Sequence, residues 1–197
     1  MRMKNELSLG CLLMAAGNSE RFGENKLSAV LGGKTLIERA MEAIPREQFA
    51  RVLVVTQYDE IMALAARFGF EALRNEHPGR GQSETIRLGT AALQKDCGAI
   101  CYMVADQPLL ERDSVAREMA FYRAHPERIV GLGHNGVRGN PCIFPARFFP
   151  ELLALTGDVG GSRVIRAHEE ALLLYEVDAR QLSDVDTRAS LDALNRS

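Results

Sequence analysis

Three uninterrupted apolar runs constrain the fold of this chain more than any other feature of its sequence. They lie at residues 9–14, at 52–55 within the segment 51–56, and at 99–105. A half-exposed strand alternates apolar and polar residues, so runs without alternation are typical of strands covered on both faces. Segments with helical spacing of apolar residues, such as 59–69, separate these strands. The pattern predicts one α/β domain, residues 1–197, with three layers: a mostly parallel sheet and helices on both faces.

Composition and charge exclude several classes of protein. The net charge of −2 argues against a nucleic-acid partner, which a strongly basic face would indicate. No apolar segment approaches the roughly 20 residues of a membrane helix, and the first run is too short for a signal-peptide core. We therefore expect a cytoplasmic protein without membrane contact. The cysteines form no C-x-x-C pair and are expected to be buried thiols; they are Cys11, Cys97, Cys101 and Cys142.

A loop of small and cationic residues follows the first apolar run. A buried strand that ends at such a loop leaves backbone N–H groups free, and glycine lets the backbone approach a ligand closely. Free amides together with Arg and Lys favour a triphosphate. The candidate nucleotide-binding residues here are Ala15, Ala16, Gly17, Ser19, Arg21 and Lys26. The alternative is an ordinary connection to a helix, with both cations solvated.

Two aspartates are candidate metal ligands. Asp106 directly follows the third apolar run, and ligands of open α/β sheets bind beyond the carboxyl ends of the strands. Its carboxylate could hold Mg²⁺ against phosphate oxygens, although a turn-forming Asp before Gln-Pro is the alternative. The preferred second carboxylate is Asp186, with Asp184 as the other choice. Asp186 or Thr187 could instead cap the last helix.

Two glycine-rich segments are candidate binding loops. Gly81, Gln82 and Ser83 open a helix, whose N-terminal amides could hold a base, a ribose or a phosphate. A flexible loop with Ser83 as helix cap is the alternative.

Residues 133–141 read as a loop on the acceptor side of the site, with Arg138 and Asn140 as polar contacts. A long hairpin connection is the alternative. The G-x-G-x-x-G match that begins at Gly131 is a decoy, because no helix can start smoothly after it.

Taken in order, these motifs resemble the MobA-like nucleotidyltransferases, and among them the MocA-like cytidylyltransferases of the molybdenum cofactor. The first loop, with Gly23 and Leu27 in its signature, marks the superfamily. Narrower matches are Gly81-Gln82-Ser83, Ala105-Asp106-Gln107-Pro108, Gly136-Val137-Arg138-Gly139-Asn140-Pro141, Gly157-Asp158-x-Gly160 and Asp184-Val185-Asp186-Thr187.

The resemblance implies a Rossmann-like domain of the nucleotide-diphospho-sugar transferase type. It implies Mg²⁺-dependent transfer of CMP from CTP, or of another nucleotide from its triphosphate, to molybdopterin with release of pyrophosphate. Arg21, Lys26 and Asp106 would be catalytic. Acceptor contacts would come from Arg138, Gly139, Asn140 and Asp158. A transient contact with a molybdenum hydroxylase is also implied.

The sequence departs from the family pattern at a few positions, and other functions stay open. Phe22 stands where the family usually has Met, and Glu84 follows Gln82-Ser83 where a small residue is common. After the Asp-x-Asp-Thr segment, Arg188-Ala189 stands where the family usually has Pro-Glu. One alternative is a nucleotidyltransferase that acts on a sugar phosphate or polyol phosphate. Another is a non-catalytic chaperone that hands the molybdenum cofactor to a hydroxylase.

Overall fold

The computed structural model describes residues 8–17, 22 and 25–196. Its strands are β1 (Leu9–Ala15), β2 (Val30–Leu31), β3 (Lys34–Thr35), β4 (Arg51–Thr56), β5 (Glu71–Arg74), β6 (Ala99–Val104), β7 (Ile129–His134), β8 (Val137–Pro145) and β9 (Leu172–Glu176). Its α-helices are α1 (Leu36–Glu42), α2 (Asp59–Arg67), α3 (Gln82–Leu93), α4 (Arg112–Ala124), α5 (Phe149–Leu153), α6 (Ser162–Ala167) and α7 (Arg188–Asn195).

Seven strands form the main sheet in the order β5-β4-β1-β6-β8-β7-β9. All neighbouring pairs are parallel except those that include β8, which runs antiparallel to β6 and β7. The chain leaves β1 toward β4 on one side and reaches β6 on the other. This reversal creates a crevice at the carboxyl ends of β1, β4 and β6. The predicted mostly parallel sheet is confirmed.

The apolar runs are continuous because both faces of the sheet are covered. In β1, Leu13 packs into one core with α1, α2 and α4, whereas Leu12 packs into the other with α3, α5 and α6. In β4, Val54 and Leu53 divide in the same way. Successive strand side chains point to opposite faces, so an apolar residue is needed at every position. Helices therefore lie on both faces, as predicted.

A third, smaller core lies near the carboxyl ends of the strands. It joins α7 to the β2–β3 hairpin and consists of Phe22, Leu31, Leu36, Val185 and Leu191. The last helix is capped by Thr187, whose hydroxyl accepts from Ser190 N at 3.1 Å. Asp186 is therefore not its cap. In the described part of the chain, no helix has the length and apolar character needed to cross a membrane.

The predicted loop at residues 133–141 is wrong. Strands β7 and β8 continue through this segment and meet at a two-residue turn, Asn135-Gly136, with φ of 49° and 77°. Asn-Gly favours such a turn because both residues tolerate positive φ. Gly133 and Gly139 are strand residues and Gly136 belongs to the turn, so the G-x-G-x-x-G match lies in this hairpin. Its dismissal as a nucleotide fingerprint is consistent with the structure.

Candidate active site

A cleft of about 1210 Å³ opens at the carboxyl ends of β1 and β6. Among the predicted site residues, those that line it are Ala15, Ala16, Gly17, Lys26, Gly81, Gln82, Ser83, Asp106, Asp158 and Asp186. These residues come from six separate stretches of the sequence. Ser19 and Arg21, also predicted here, lie outside the described residues.

The centre of the cleft is a lysine shared by two aspartates. Lys26 Nζ lies 2.7 Å from Asp106 Oδ2 and 2.9 Å from Asp186 Oδ1. The Lys26 side chain is 15% exposed, so solvent screens these contacts only in part. Two carboxylates and one cation from distant segments thus meet at one point.

Backbone contacts explain how Asp186 reaches Asp106. Val185 is fully buried, and its N–H donates to the Asp106 carbonyl at 2.8 Å. Gln107 supports the same segment, since its Nε2 donates to the Leu182 carbonyl at 3.2 Å. The buried Val185 therefore anchors the strand end to the chain beside it.

The electrostatics of the centre favour positive charge. Burial opposes the charge of Lys26, but Asp106 and Asp186 outweigh it and raise the pKa of this ammonium. Burial, followed by the negative charge of Asp106, raises the pKa of Asp184. Asp184 does not line the cleft. Position and pairing both favour Asp186 over Asp184 as the carboxylate that acts with Asp106.

Three residues that sequence reasoning missed hold the first loop. The carbonyls of Ala15, Ala16 and Gly17 accept hydrogen bonds from Thr56 Oγ1 at 2.8 Å, Gln57 Nε2 at 3.0 Å and Tyr58 Oη at 3.0 Å. These donors follow one another at the end of β4, which pairs with β1 in parallel register. The loop carbonyls are thus engaged from the neighbouring strand. Three consecutive polar residues after an apolar run were the available signal.

The helix N-terminus at Gln82 is already capped by another segment. Asp158 Oδ1 accepts from Gln82 N at 3.1 Å, and Gly81 with φ of 84° serves as the N-cap residue without a side chain. Ser83, the predicted alternative cap, lies within the first turn of α3. Asp158 thus lines the large cleft beside the predicted nucleotide loop.

The hairpin residues predicted to contact the acceptor divide into two groups. Arg138 and Asn140 line a second, smaller cavity of about 180 Å³, which shares Met14 and Gln82 with the large cleft. Gly139 lines neither cavity, because its backbone packs against Leu182, where an added Cβ would lie 2.8 Å from Cδ2. The predicted contact of Gly139 with an acceptor therefore has no support in this geometry.

An ion pair neutralises the acidic residue at the nucleotide loop. Glu84 lies 2.7 Å from Arg87 Nη2 and 3.7 Å from Arg80 Nη1. The hydrogen bond from Arg87 lowers the pKa of Glu84, so the carboxylate is charged and matched. All three residues line the large cleft. Glu84 therefore adds no unbalanced negative charge there.

Asp106 and Asp186 fit a divalent cation. Both direct an oxygen at one cation, the Lys26 ammonium, and carboxylate oxygens are ligands that Mg²⁺ prefers. Within the described ranges, no three His, Cys, Asp or Glu side chains are grouped to hold a metal. A cation at this point would complete its shell with phosphate oxygens and water. Elsewhere, the four cysteines are free and buried, as predicted.

Comparisons with known proteins identify the family of this chain. The family model described as "MobA-like NTP transferase domain" matches residues 11–172. The purine catabolism protein PucB of Bacillus subtilis (strain 168) is 26% identical over 208 residues, which cover 99% of each chain.

Solved structures show the same fold. Rv0371c from Mycobacterium tuberculosis H37Rv has a TM-score of 0.80 at 21% identity, over 96% of this chain and 98% of its own. A second structure of Rv0371c is a complex with manganese, with a TM-score of 0.78 at 20% identity over 96% and 99%. Molybdopterin-guanine dinucleotide biosynthesis protein A from Archaeoglobus fulgidus has a TM-score of 0.66 at 17% identity, over 95% and 97%.

Proposed function

The chain belongs to the MobA-like NTP transferase domain family and is a nucleotidyltransferase, and on this premise we propose its reaction. It transfers CMP from CTP to the terminal phosphate of molybdopterin carrying molybdenum, and releases pyrophosphate. The resemblance of the sequence motifs to this family is confirmed. The choice of CTP as the nucleotide and of a pterin as the acceptor rests on the narrower motif matches, and both choices are part of the proposal.

One observation carries the proposal: Lys26, Asp106 and Asp186 meet within 2.9 Å in the cleft that the 15–17 loop and the start of α3 also line. Phosphoryl and nucleotidyl transfer need positioning and charge stabilisation more than a covalent intermediate. A cation beside two carboxylates, at the end of a glycine loop, supplies these. A purely non-catalytic carrier has no need of that arrangement.

Separate groups of residues in the chain act on the nucleotide and on the acceptor. The amides of the 15–17 loop face a triphosphate, while the Lys26 ammonium neutralises charge that develops on the departing pyrophosphate. The acceptor phosphate oxygen attacks the α-phosphorus in line, and the bond from that phosphorus to the pyrophosphate oxygen breaks. Arg21 is proposed to assist Lys26. Arg138 and Asn140 hold the acceptor in the smaller cavity.

Asp106 and Asp186 are proposed to hold Mg²⁺. A solved structure of Rv0371c, which has the same fold, is a complex with manganese, and this supports the use of a divalent cation. When bound, the cation neutralises phosphate charge and raises the electrophilicity of the α-phosphorus.

The purine-catabolism name of the Bacillus relative supports a hydroxylase that acts on purines as the recipient of the product.

The test is pyrophosphate release by the purified protein with each of CTP, GTP, ATP and UTP, with and without molybdenum cofactor. We expect release with Mg²⁺, CTP and the cofactor together, and none when any one is omitted. Turnover with a sugar phosphate or polyol phosphate in place of the cofactor would overturn the proposal that molybdopterin is the acceptor. Stronger turnover with GTP would overturn the choice of nucleotide.

A chaperone is distinguished in the same assay. It would deliver intact cofactor to a hydroxylase without any nucleoside triphosphate and without releasing pyrophosphate. Delivery that is equally efficient with and without CTP would therefore contradict an enzyme.

A further inference from the structure

Among the described residues, Gln82 is the one predicted nucleotide-binding residue that lines both cavities. The large cleft contains Lys26 and the two aspartates, and the smaller cavity contains Arg138 and Asn140. Under the proposed function, the nucleotide and the acceptor would approach each other across this shared boundary. A side chain at this boundary is placed to contact the phosphate groups of both substrates.

One short loop fixes both the backbone and the side chain of Gln82. Asp158 Oδ1 accepts the hydrogen bond of the Gln82 amide at 3.1 Å. Two residues later, Gly160 leaves room for the carboxamide, because an added Cβ there would lie 2.3 Å from Gln82 Oε1. Residues 157–160 therefore determine where the carboxamide lies.

The contact between the loop and α3 is close at the backbone level as well. A Cβ added to Gly81 would lie 2.5 Å from Asp158 Cα. Gly81 has φ of 84°, a conformation that glycine adopts without strain. Since α3 has no side-chain cap of its own, the Asp158 carboxylate supplies one from 76 residues away and complements the helix dipole.

We propose that Asp158 is a positioning residue that acts through Gln82, holding the Gln82 carboxamide at the boundary where the phosphate groups of nucleotide and acceptor meet. This inference rests on the proposed function. The sequence predicted that Asp158 contacts the acceptor directly, but its carboxylate would repel an acceptor phosphate. We therefore assign Asp158 an indirect role. The capping hydrogen bond already uses one carboxylate oxygen.

The first test separates the hydrogen bond from the charge. Asp158→Asn keeps an oxygen that can accept from Gln82 N, whereas Asp158→Ala removes it. We expect kcat/KM for the acceptor to fall up to about 100-fold in Asp158→Ala, the cost of a small misplacement near the reacting atoms. Asp158→Asn should stay within about threefold of the wild type. Equal losses in both variants would mean that Asp158 acts by its charge, which overturns the proposal.

The second test asks whether Asp158 acts through the Gln82 side chain. Gln82→Ala should lower kcat/KM for the acceptor about as much as Asp158→Ala. The double variant should lose no more than either single variant, because coupled residues are not additive. Gly160→Ala should be damaging in the wild type and nearly silent in Gln82→Ala, where the clashing atom is gone. Losses that multiply in either pair would contradict the proposal.

The third test does not depend on activity. Hydrogen exchange at the Gln82 amide should be faster in Asp158→Ala and unchanged in Asp158→Asn. Asp178→Ala is the matched control, since Asp178 Oδ1 caps Arg180 N at 2.8 Å on a segment that lines neither cavity. It should leave exchange at Gln82 and the acceptor KM unchanged. A role limited to stability would lower the Tm without changing the acceptor KM, which contradicts positioning.

The two proposals fail in different ways. If the wild-type protein releases no pyrophosphate with any nucleotide and acceptor, the proposed function fails. The positioning role is then judged on exchange at Gln82 and on CTP binding. Faster exchange and weaker CTP binding in Asp158→Ala, but not in Asp158→Asn, would support it, and unchanged values in both variants would overturn it.

Discussion

At one end of the site Lys26 lies within 2.9 Å of two carboxylates, whereas at the other end Arg138 has no carboxylate partner among the residues that the structure describes. Within the described ranges, the Arg138 guanidinium makes only long contacts, to the Gly139 carbonyl at 3.5 Å and to Cys142 Sγ at 3.6 Å. The lysine end is assembled by interactions within the protein. At the arginine end, the positive charge of the Arg138 guanidinium is available to a ligand in the smaller cavity.

The difference predicts how each end responds to substitution. Removing a member of the lysine centre takes one partner away from a part-buried charge, which costs free energy before any substrate binds. Removing Arg138 leaves no such charge, so its loss should be visible only when the acceptor is present. Changes at the lysine end should alter nucleotide and metal chemistry, and changes at the arginine end should alter the acceptor KM.

The largest effect is expected for Asp106→Ala. Loss of a carboxylate that pairs with Lys26 and is proposed to hold Mg²⁺ should lower kcat on the order of 1000-fold. The measurement is pyrophosphate release at saturating CTP and Mg²⁺. Asp113→Ala on α4, an exposed aspartate paired only with Arg117 among the described residues, is the control. If Asp106→Ala delivered cofactor to a hydroxylase as well as the wild type does, the chaperone alternative would be favoured.

A somewhat smaller loss is expected for Lys26→Met. The variant removes the cation that faces the triphosphate, so kcat/KM for CTP should fall about 100-fold, while the acceptor KM stays unchanged. Lys26→Arg should recover part of the loss because it restores the charge. The surface pair of Lys34 and Glu42 supplies a matched control in Lys34→Met. An unchanged kcat/KM for CTP would break the distinction between the two ends.

At the other end, Arg138→Ala should raise the acceptor KM about 10-fold, since a charge-assisted hydrogen bond contributes about 1.5–3 kcal/mol. The KM for CTP and the Tm should change little, because Arg138 holds no charged partner within the described chain. Initial rates with varied acceptor at saturating CTP measure this effect. Arg147→Ala, at an exposed arginine that lies over Phe148, is the control. A rise in the KM for CTP alone would assign Arg138 to the wrong substrate.

The sequence predicted the lysine end well because its signals are local. Apolar runs predict buried strands, and polar residues at strand ends predict a shared edge, so Lys26, Asp106 and Asp186 could be placed in one crevice. The choice of Asp186 over Asp184 could not come from alternation, because the two aspartates lie on either side of the buried Val185 and residues two apart share a face. It depended on which carboxylate lies within reach of Lys26, a contact that is visible in the structure but not in the sequence.

The rest of the site depends on contacts between segments that are far apart in sequence. Asp158 caps α3 across 76 residues, so no spacing rule could have found it. The hairpin was misread because its glycines suggested a loop, although Asn135-Gly136 between apolar runs is itself a strong turn signal. Thr56, Gln57 and Tyr58 were overlooked because their partners are backbone carbonyls on the neighbouring strand.

Glu118 contrasts with Asp106, because it is a buried carboxyl with no cation paired to it among the described residues. Glu118 on α4 is fully buried, and among the described residues neither of its carboxylate oxygens has a hydrogen-bond partner. Burial raises the pKa of Glu118 well above its usual value, so the folded protein keeps a proton that the unfolded chain releases above about pH 4.3. Asp106, in contrast, has Lys26 within 2.7 Å.

The sign of the pH dependence follows from this proton. Between the unfolded pKa and the higher folded pKa, the folded state binds one more proton, so the free energy of unfolding falls by about 1.4 kcal/mol per pH unit from this group. Glu118→Gln cannot titrate and should be less sensitive to pH, with the difference largest at the alkaline end. Urea unfolding at pH 5, 6, 7 and 8 measures it, with the exposed Glu169→Gln as control. Equal pH dependence in Glu118→Gln and the wild type would mean that Glu118 has a charge-compensating partner, as Asp106 does, and the contrast between paired and unpaired carboxyls would then be lost.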